Sequence, residues 1–419
     1  MASTYIPLTK LGYALPVAAI SQTSASHGAA PVRAAAVLPW ILGGAFIVCF
    51  ALRDLLLTRG LIIDGLDVWG RDFINVWTGG HLVRDGHLST LSDVAAYQSY
   101  QRQLFGPIGD HNYSYPPVTY PVAALLSYLP YPLALVSWQV TGAIFFVWAA
   151  RPWWPANAGP AWLASLTPAA LMNLWAGHYG FFIGGLFLLG WRQVELGRPS
   201  LGGICFGLML IKPHLAVLVP LALAMRREWR AIGAAAATVV VLLAASAGLY
   251  GIEPWRDFLF GTSRVQAGLI NGGGSFFELM STSPATAMLS LGAGWPVALV
   301  AQLACAAAAI WAVITCGARG VPLKSYALLT STATFLVLPY AFNYDLTVPM
   351  IAALTITSCS VRGSMDWRLA FYGFIAPQFG MVAAAAGVPV MPLLIALLLY
   401  AQHRELTREP FNREKACMT

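Results

Sequence analysis

Asp72 stands in the run Arg71-Asp72-Phe73, with Asn75, Trp77 and His81 following. A carboxylate beside an arginine at a membrane surface suits a general base, since apolar walls raise its pKa while leaving it open to a hydroxyl substrate. An aspartate in that position can equally serve as the N-cap of a helix. A second polar group, Lys212-Pro213-His214, interrupts a long apolar stretch. A lysine at the bilayer centre costs about 2.5 to 3.5 kcal/mol on insertion scales, so it needs a partner unless it snorkels to an interface. A lipid phosphate would serve, because the ammonium is a compact phosphate-binding charge. The third group, Asn343-Tyr344-Asp345, enters an apolar run, and Asp345 is open to three readings: an acid/base group, a partner for Lys212, or a helix cap. Glu278 is the one acid between Gly261 and Pro284, a stretch with Gly272-Gly273-Gly274, Phe276 and Phe277 that reads as a lid over a cavity or as a connector.

The chain that must position these residues has 58% hydrophobic and 10% charged residues and a mean hydropathy of +0.67. Average soluble domains carry about 25% charged residues, so a water-soluble fold is excluded. A bilayer crossing takes about 20 apolar residues, and the apolar runs predict roughly 10 to 12 spans in an all-α bundle. The net charge of +7 comes from basic residues at the ends of these runs, a membrane-orientation signal rather than a nucleic-acid one. Six scattered cysteines imply neither a disulfide framework nor a metal site. No soluble cofactor and no metal ligand set is expected.

The first span is expected from about Val37 to Leu57, after a cytoplasmic tail over residues 1–36. The membrane domain then runs over 37–401, with outer loops at about 58–116 and 251–284 and a cytoplasmic tail over 402–419. Clusters at Arg192/Arg198, Arg226/Arg227/Arg230, Arg319/Lys324, Arg362/Arg368 and Arg404/Arg408 mark one common side. Residues 200–225 lie between two such clusters yet hold enough sequence for one crossing, and Lys212-Pro213 breaks them midway. A re-entrant hairpin with Lys212 and His214 at its tip satisfies both facts, given backbone burial or a cavity at that depth. Four apolar runs between 117 and 191 would put Arg192 on the wrong side, so one of them lies on the surface or belongs to a broken helix. In the first outer loop, residues 91–105 place Leu91, Val94, Tyr97 or Gln98, Gln101 and Leu104/Phe105 at helical spacing, predicting an amphipathic interfacial helix. Tyr113-Ser114-Tyr115-Pro116-Pro117 reads as a stiffened, structural turn into the next run.

Taken in order, RDFINVWTGGHLVRDGHLSTL, YSYPPVTYPVAALLSYLP, NLWAGHYGFFIGGLFLLG, GICFGLMLIKPHLAVLVPLALAMRREWRA and LPYAFNYDLTVPM resemble glycosyltransferase family 87, over roughly residues 70 to 350. The resemblance implies a GT-C architecture and a hexose donor, mannose by family habit, carried on a polyprenyl phosphate. It implies a lipid or glycan acceptor, inversion at the anomeric carbon, and an active site on the outer face of a bacterial inner membrane. Asp72 would be the base and Lys212 would steady the departing phosphate, while His178, His214 and Tyr344 would contact donor or phosphate. Arg71, Asn343, Asp345 and Glu278 complete the candidates. The sequence departs from the family at Gly177-His178, where Gly-Gln is common, and at Asn343-Tyr344-Asp345. A transporter or flippase with paired broken helices, or a non-catalytic scaffold, is the competing reading; the sequence offers one broken hairpin and no clear second copy.

Overall fold

The computed structural model describes residues 29–262 and 276–408. Residues 1–28 of the expected tail over 1–36, the glycines 272–274, the Phe276 side chain and the segment beyond 408 lie outside the described residues, and residues 29–36 extend the first helix ahead of the expected start at Val37. The described protein is an all-α membrane protein, with strands confined to three two-residue pieces. α1 (Ala29–Leu57) leads into β1 (Thr58–Arg59), β2 (Ile62–Ile63) and β3 (Asp67–Val68), an antiparallel ribbon in that order. The first outer loop then folds as α2 (Phe73–Arg84), α3 (Leu88–Ser92), α4 (Val94–Phe105) and α5 (Tyr120–Leu126). α6 (Tyr131–Ala150) is followed by 3-10 turns, α7 (Pro168–Ala176) and α8 (Gly180–Glu195). Next come α9 (Pro199–Leu208), α10 (Val219–Met225), α11 (Trp229–Tyr250) and α12 (Glu253–Arg256). The remainder is α13 (Phe276–Met280), α14 (Pro284–Ser290), α15 (Trp295–Ala318), α16 (Leu323–Val337), α17 (Thr347–Cys359), α18 (Met365–Ala385) and α19 (Met391–Thr407).

Three of these, the α6 segment through Trp153, α11 and α15, are long and apolar enough to cross a bilayer by length and composition. Their apolar side chains point outward: in α11, Val240, Val241 and Leu249 are all more than 60% exposed. Water would penalise such a surface, whereas hydrocarbon matches it. α16 and α17 are the opposite case, buried along most of their length. On α16 the hydroxyls of Thr330, Thr332 and Thr334 each donate to the carbonyl four residues back, so these polar groups need no outside partner.

Contacts across the loops show which ends lie together. Lys324 donates to the carbonyl of Pro152 and lies 4.0 Å from Glu195; Asn157 bonds the carbonyl of Ser358; Arg226 bonds the carbonyl of Val321; and Thr315 meets His403. The basic clusters therefore share one end of the bundle, as the sequence requires. At the other end, Asp54 meets Arg71, Tyr131 bonds the carbonyl of Trp69, and Tyr250 packs on Tyr120.

The apolar runs between 117 and 191 resolve accordingly. The 117–133 run does not span: α5 has seven residues and packs on α2 so closely that a Cβ on Gly80 would meet the Ala123 carbonyl. α6 crosses, a 3-10 stretch at Ala161–Leu166 with α7 returns, and α8 ends at Glu195 among the basic clusters. The hairpin also forms. Gly203 of α9 sits against Ala231 and Ala234 of α11, and Gly207 against Thr238, so α9 rises parallel to α11. α10 returns to the start of α11 through Arg226, Arg227 and Glu228. Glycines four residues apart allow this close helix packing.

One expectation in the outer loop is corrected. The helix starts at Val94 with Asp93 as its cap, Leu91 belongs to the separate α3, and Val94 and Leu104 are exposed. Its buried face is Tyr97 and Gln101, held against α2 by hydrogen bonds to Asn75 and Thr78. Polar pairing with α2, more than apolar spacing, sets the orientation of this helix.

Candidate active site

Four interruptions of regular structure converge at the end of the bundle opposite the basic clusters. They are the knuckle Gly70-Arg71-Asp72, the turn Gly177-His178-Tyr179 between α7 and α8, the hairpin tip Ile211-Lys212-Pro213, and the 3-10 turn Asn343–Asp345. Helix ends leave backbone groups unpaired, and here they pair with one another. The amide of Asp72 donates to the carbonyl of Ala176 at 3.0 Å, and Asn173 Oδ1 accepts the amide of Gly180 at 2.9 Å. Gly177 has φ +68°, and a Cβ there would run into the Gly70 carbonyl. Both the left-handed backbone and the close approach require glycine.

Arg71 is also left-handed, with φ +37°, a conformation that costs on the order of 1 to 3 kcal/mol in a non-glycine residue. What holds it is a buried clamp. Asp54, fully enclosed near the end of α1, accepts from Arg71 Nη2 at 2.8 Å and from the Trp175 indole at 2.9 Å. The guanidinium lies 3.6 Å from the centre of the Trp175 ring. Sequence reasoning placed Arg71 beside the base and missed Asp54 altogether. A carboxylate next to Arg53 inside an apolar run was the available signal.

The clamp leaves Asp72 in the N-cap position of α2 without capping it: its side chain makes no hydrogen bond to the helix. The carboxylate instead lines a cavity of about 340 Å³ shared with Asn75, Tyr115, His178, Lys212 and Tyr344. Burial raises its pKa to about 6; Lys212 pulls it down, Asp67 and Asp345 push it up, and Arg71 opposes them. Such a group is ionised at neutral pH yet basic enough to take a proton.

Across the cavity, Lys212 Nζ donates to Asp345 Oδ2 at 2.6 Å and approaches His178 Nδ1 at 3.3 Å, with the Tyr344 ring 5.0 Å away. Of the three readings open for Asp345, the geometry selects the lysine partner, and Lys212 does not snorkel. His178 stacks on Tyr344 with ring centres 4.5 Å apart. Its Nδ1 accepts the Tyr179 amide at 2.8 Å, which puts the ring proton on Nε2, 3.3 Å from the Tyr115 hydroxyl. His214 lines the same cavity, with Nε2 buried and unpartnered among the described residues.

Other candidates lie elsewhere. Asn343 donates to the carbonyl of Pro377 in α18, away from the cavity. Glu278 accepts from Ser290 and lines a separate small cavity with Pro392, while its neighbour Phe277 reaches the main one. Tyr115, read as structural, lines the cavity, as do Asp67 and His111, which the sequence did not single out. Among the described residues no cluster of His, Cys, Asp or Glu is arranged to hold a metal, and no disulfide is formed.

The sequence model of glycosyltransferase family 87 matches residues 113–339, more than half of the 419 residues. The chain belongs to glycosyltransferase family 87. It is therefore a membrane glycosyltransferase that takes a sugar donor and an acceptor. The family 87 match contains His178, Lys212 and His214, whereas Asp72, Tyr344 and Asp345 lie outside it and meet these residues only in the fold. No curated protein and no solved structure matches this family 87 chain.

Proposed function

We propose that the protein transfers a hexose, mannose as the family resemblance implies, from a polyprenyl-phosphate donor to an acceptor hydroxyl at the outer face of a bacterial inner membrane. The observation carrying this reading is an uncapped carboxylate, Asp72, facing the same cavity as a buried ammonium, Lys212. A base and a leaving-group cation on one cavity are what direct displacement at an anomeric carbon needs.

In the proposed step the acceptor oxygen forms a bond to the anomeric carbon as its proton passes to Asp72. The bond from that carbon to the phosphate oxygen breaks, and polyprenyl phosphate leaves with the electron pair. A single in-line displacement inverts the anomeric centre. Lys212, held at the cavity by its ion pair with Asp345, meets the growing phosphate charge, and His214, whose Nε2 has no partner among the described residues, is a second group facing the phosphate.

A lipid-linked donor is supported by a groove of about 310 Å³ between α6 and α7, lined by Leu135, Val136, Val140, Leu174 and Trp175. Val136 and Val140 are more than half exposed, so the groove opens sideways onto hydrocarbon and meets the polar cavity at Arg71 and Trp175. An isoprenoid chain fits it.

The test is to reconstitute the purified protein in lipid discs with a panel of polyprenyl-phosphate hexoses and follow release of polyprenyl phosphate. Asp72→Asn is expected to lower transfer by roughly 10²- to 10⁴-fold while the protein stays folded. Undiminished transfer by that variant would remove Asp72 as the base, and no turnover with any donor would favour the transporter or scaffold readings.

A further inference from the structure

A second cavity, of about 230 Å³, adjoins the first and shares Asn112, Ser114, Tyr115 and Phe258 with it. Two outer segments build it. Leu88, Leu91 and Ser92 come from α3, and Asp257 and Gly261 from the π-helical turn Asp257–Thr262 that follows α12. Neither segment belongs to a bundle-crossing helix. The cavity therefore sits among the outer segments, apart from the α6–α7 groove.

Its chemistry differs from that of the first cavity. Four tyrosines, Tyr97, Tyr113, Tyr115 and Tyr120, line it. The hydroxyls of Tyr97 and Tyr113 are engaged by Thr78 and Thr119, so these two contribute mainly ring surface. Gln98 donates to Asn112 Oδ1 at 3.1 Å, which leaves the amide nitrogen of Asn112 as a donor. Asp257 is the only charged group in the described lining, and that lining has no basic side chain. Aromatic surface with a few hydroxyl, amide and carboxylate groups suits a polyhydroxylated, uncharged ligand; a phosphorylated or carboxylated one would face Asp257 with no cation among the described lining residues to balance it.

We infer that this second cavity is the acceptor site, and that it takes the non-reducing end of a neutral glycan and passes one hydroxyl through the Ser114–Tyr115 junction toward Asp72. The inference rests on the glycosyl-transfer reading, and its test is a binding measurement that needs no donor. Saturation-transfer NMR on the purified full chain in lipid discs would use short neutral manno-, gluco- and galacto-oligosaccharides, with their 6-phosphates as the charged counterparts.

At least one neutral series is expected to bind, its 6-phosphate to bind more weakly, and Ser92→Trp, which fills the cavity from an exposed position, to weaken binding by roughly tenfold or more. Asp257→Asn is expected to weaken the neutral ligand while sparing or improving the phosphate. Binding that Ser92→Trp leaves intact in folded protein, a preference for the phosphorylated sugars, or no binding by any neutral series would each overturn the assignment. Ser92-dependent binding without turnover of any polyprenyl donor would instead refute the donor reading and leave the acceptor site standing.

Discussion

At the scale of single residues, the decisive contrast is between two aspartates eighteen positions apart in sequence, Asp54 and Asp72. Asp54 is saturated by Arg53, Arg71 and Trp175, and Asp72 is left open to the cavity. Since a carboxylate can serve as the proposed base only when ionised, transfer should be about tenfold lower at pH 5 than on a plateau above pH 7, given the Asp72 pKa of about 6. A pH–rate profile that is flat through this window would contradict the assignment. The same shift bears on stability. Folding raises this pKa above its unfolded value, so relative stability is gained as pH falls through about 6 and is lost above it. Asp72→Asn should consequently melt higher than wild type at pH 8 and equally at pH 4, as thermal unfolding can show. Asp54→Asn removes the acceptor that holds Arg71 in its left-handed conformation. It should lower kcat far more than it changes the donor KM, and scanning calorimetry should show a destabilised protein, because breaking a buried pair costs about 3 to 5 kcal/mol.

At the scale of elements, the candidate site lies where helices stop. Gly177→Ala should abolish transfer and destabilise the protein, because the new methyl meets the Gly70 carbonyl that precedes Asp72. Gly197→Ala is the control: it has a comparable φ of +73° but open space around it, so it should cost only about 1 kcal/mol and keep activity. The Lys212–Asp345 pair gives a second such test. Lys212→Met alone strands a buried carboxylate, whereas Lys212→Met with Asp345→Leu should recover most of the thermal stability and none of the transfer. The hairpin was legible in the sequence because charge on both flanks and a Lys-Pro break left too few residues for two crossings. The clamp at Asp54 was not, because the order of residues along a chain says nothing about which loop returns to which helix end. The surface placement of α5 was equally hidden: its composition is that of a span, and only its glycine-mediated fit to α2 distinguishes it.

At the scale of the whole molecule, the basic clusters gather at one end and the candidate site at the other, the arrangement proposed for a cytoplasmic and an outer face. In a background with the six native cysteines replaced, a cysteine at Ser92 should react with a membrane-impermeant maleimide in intact cells, and one at Arg227 only after the membrane is opened. The reverse pattern would invert the proposed orientation. The Lys212–Asp345 pair also has a meaning in time. The two residues are 133 positions apart, so at synthesis rates of about 5 to 20 residues per second the lysine emerges about 7 to 27 seconds before its counter-ion. Throughout that interval an unpartnered ammonium cannot settle at membrane depth. The hairpin is therefore expected to stay near water until α16 and the Asn343–Asp345 turn arrive, so that the candidate site closes late in the birth of the chain.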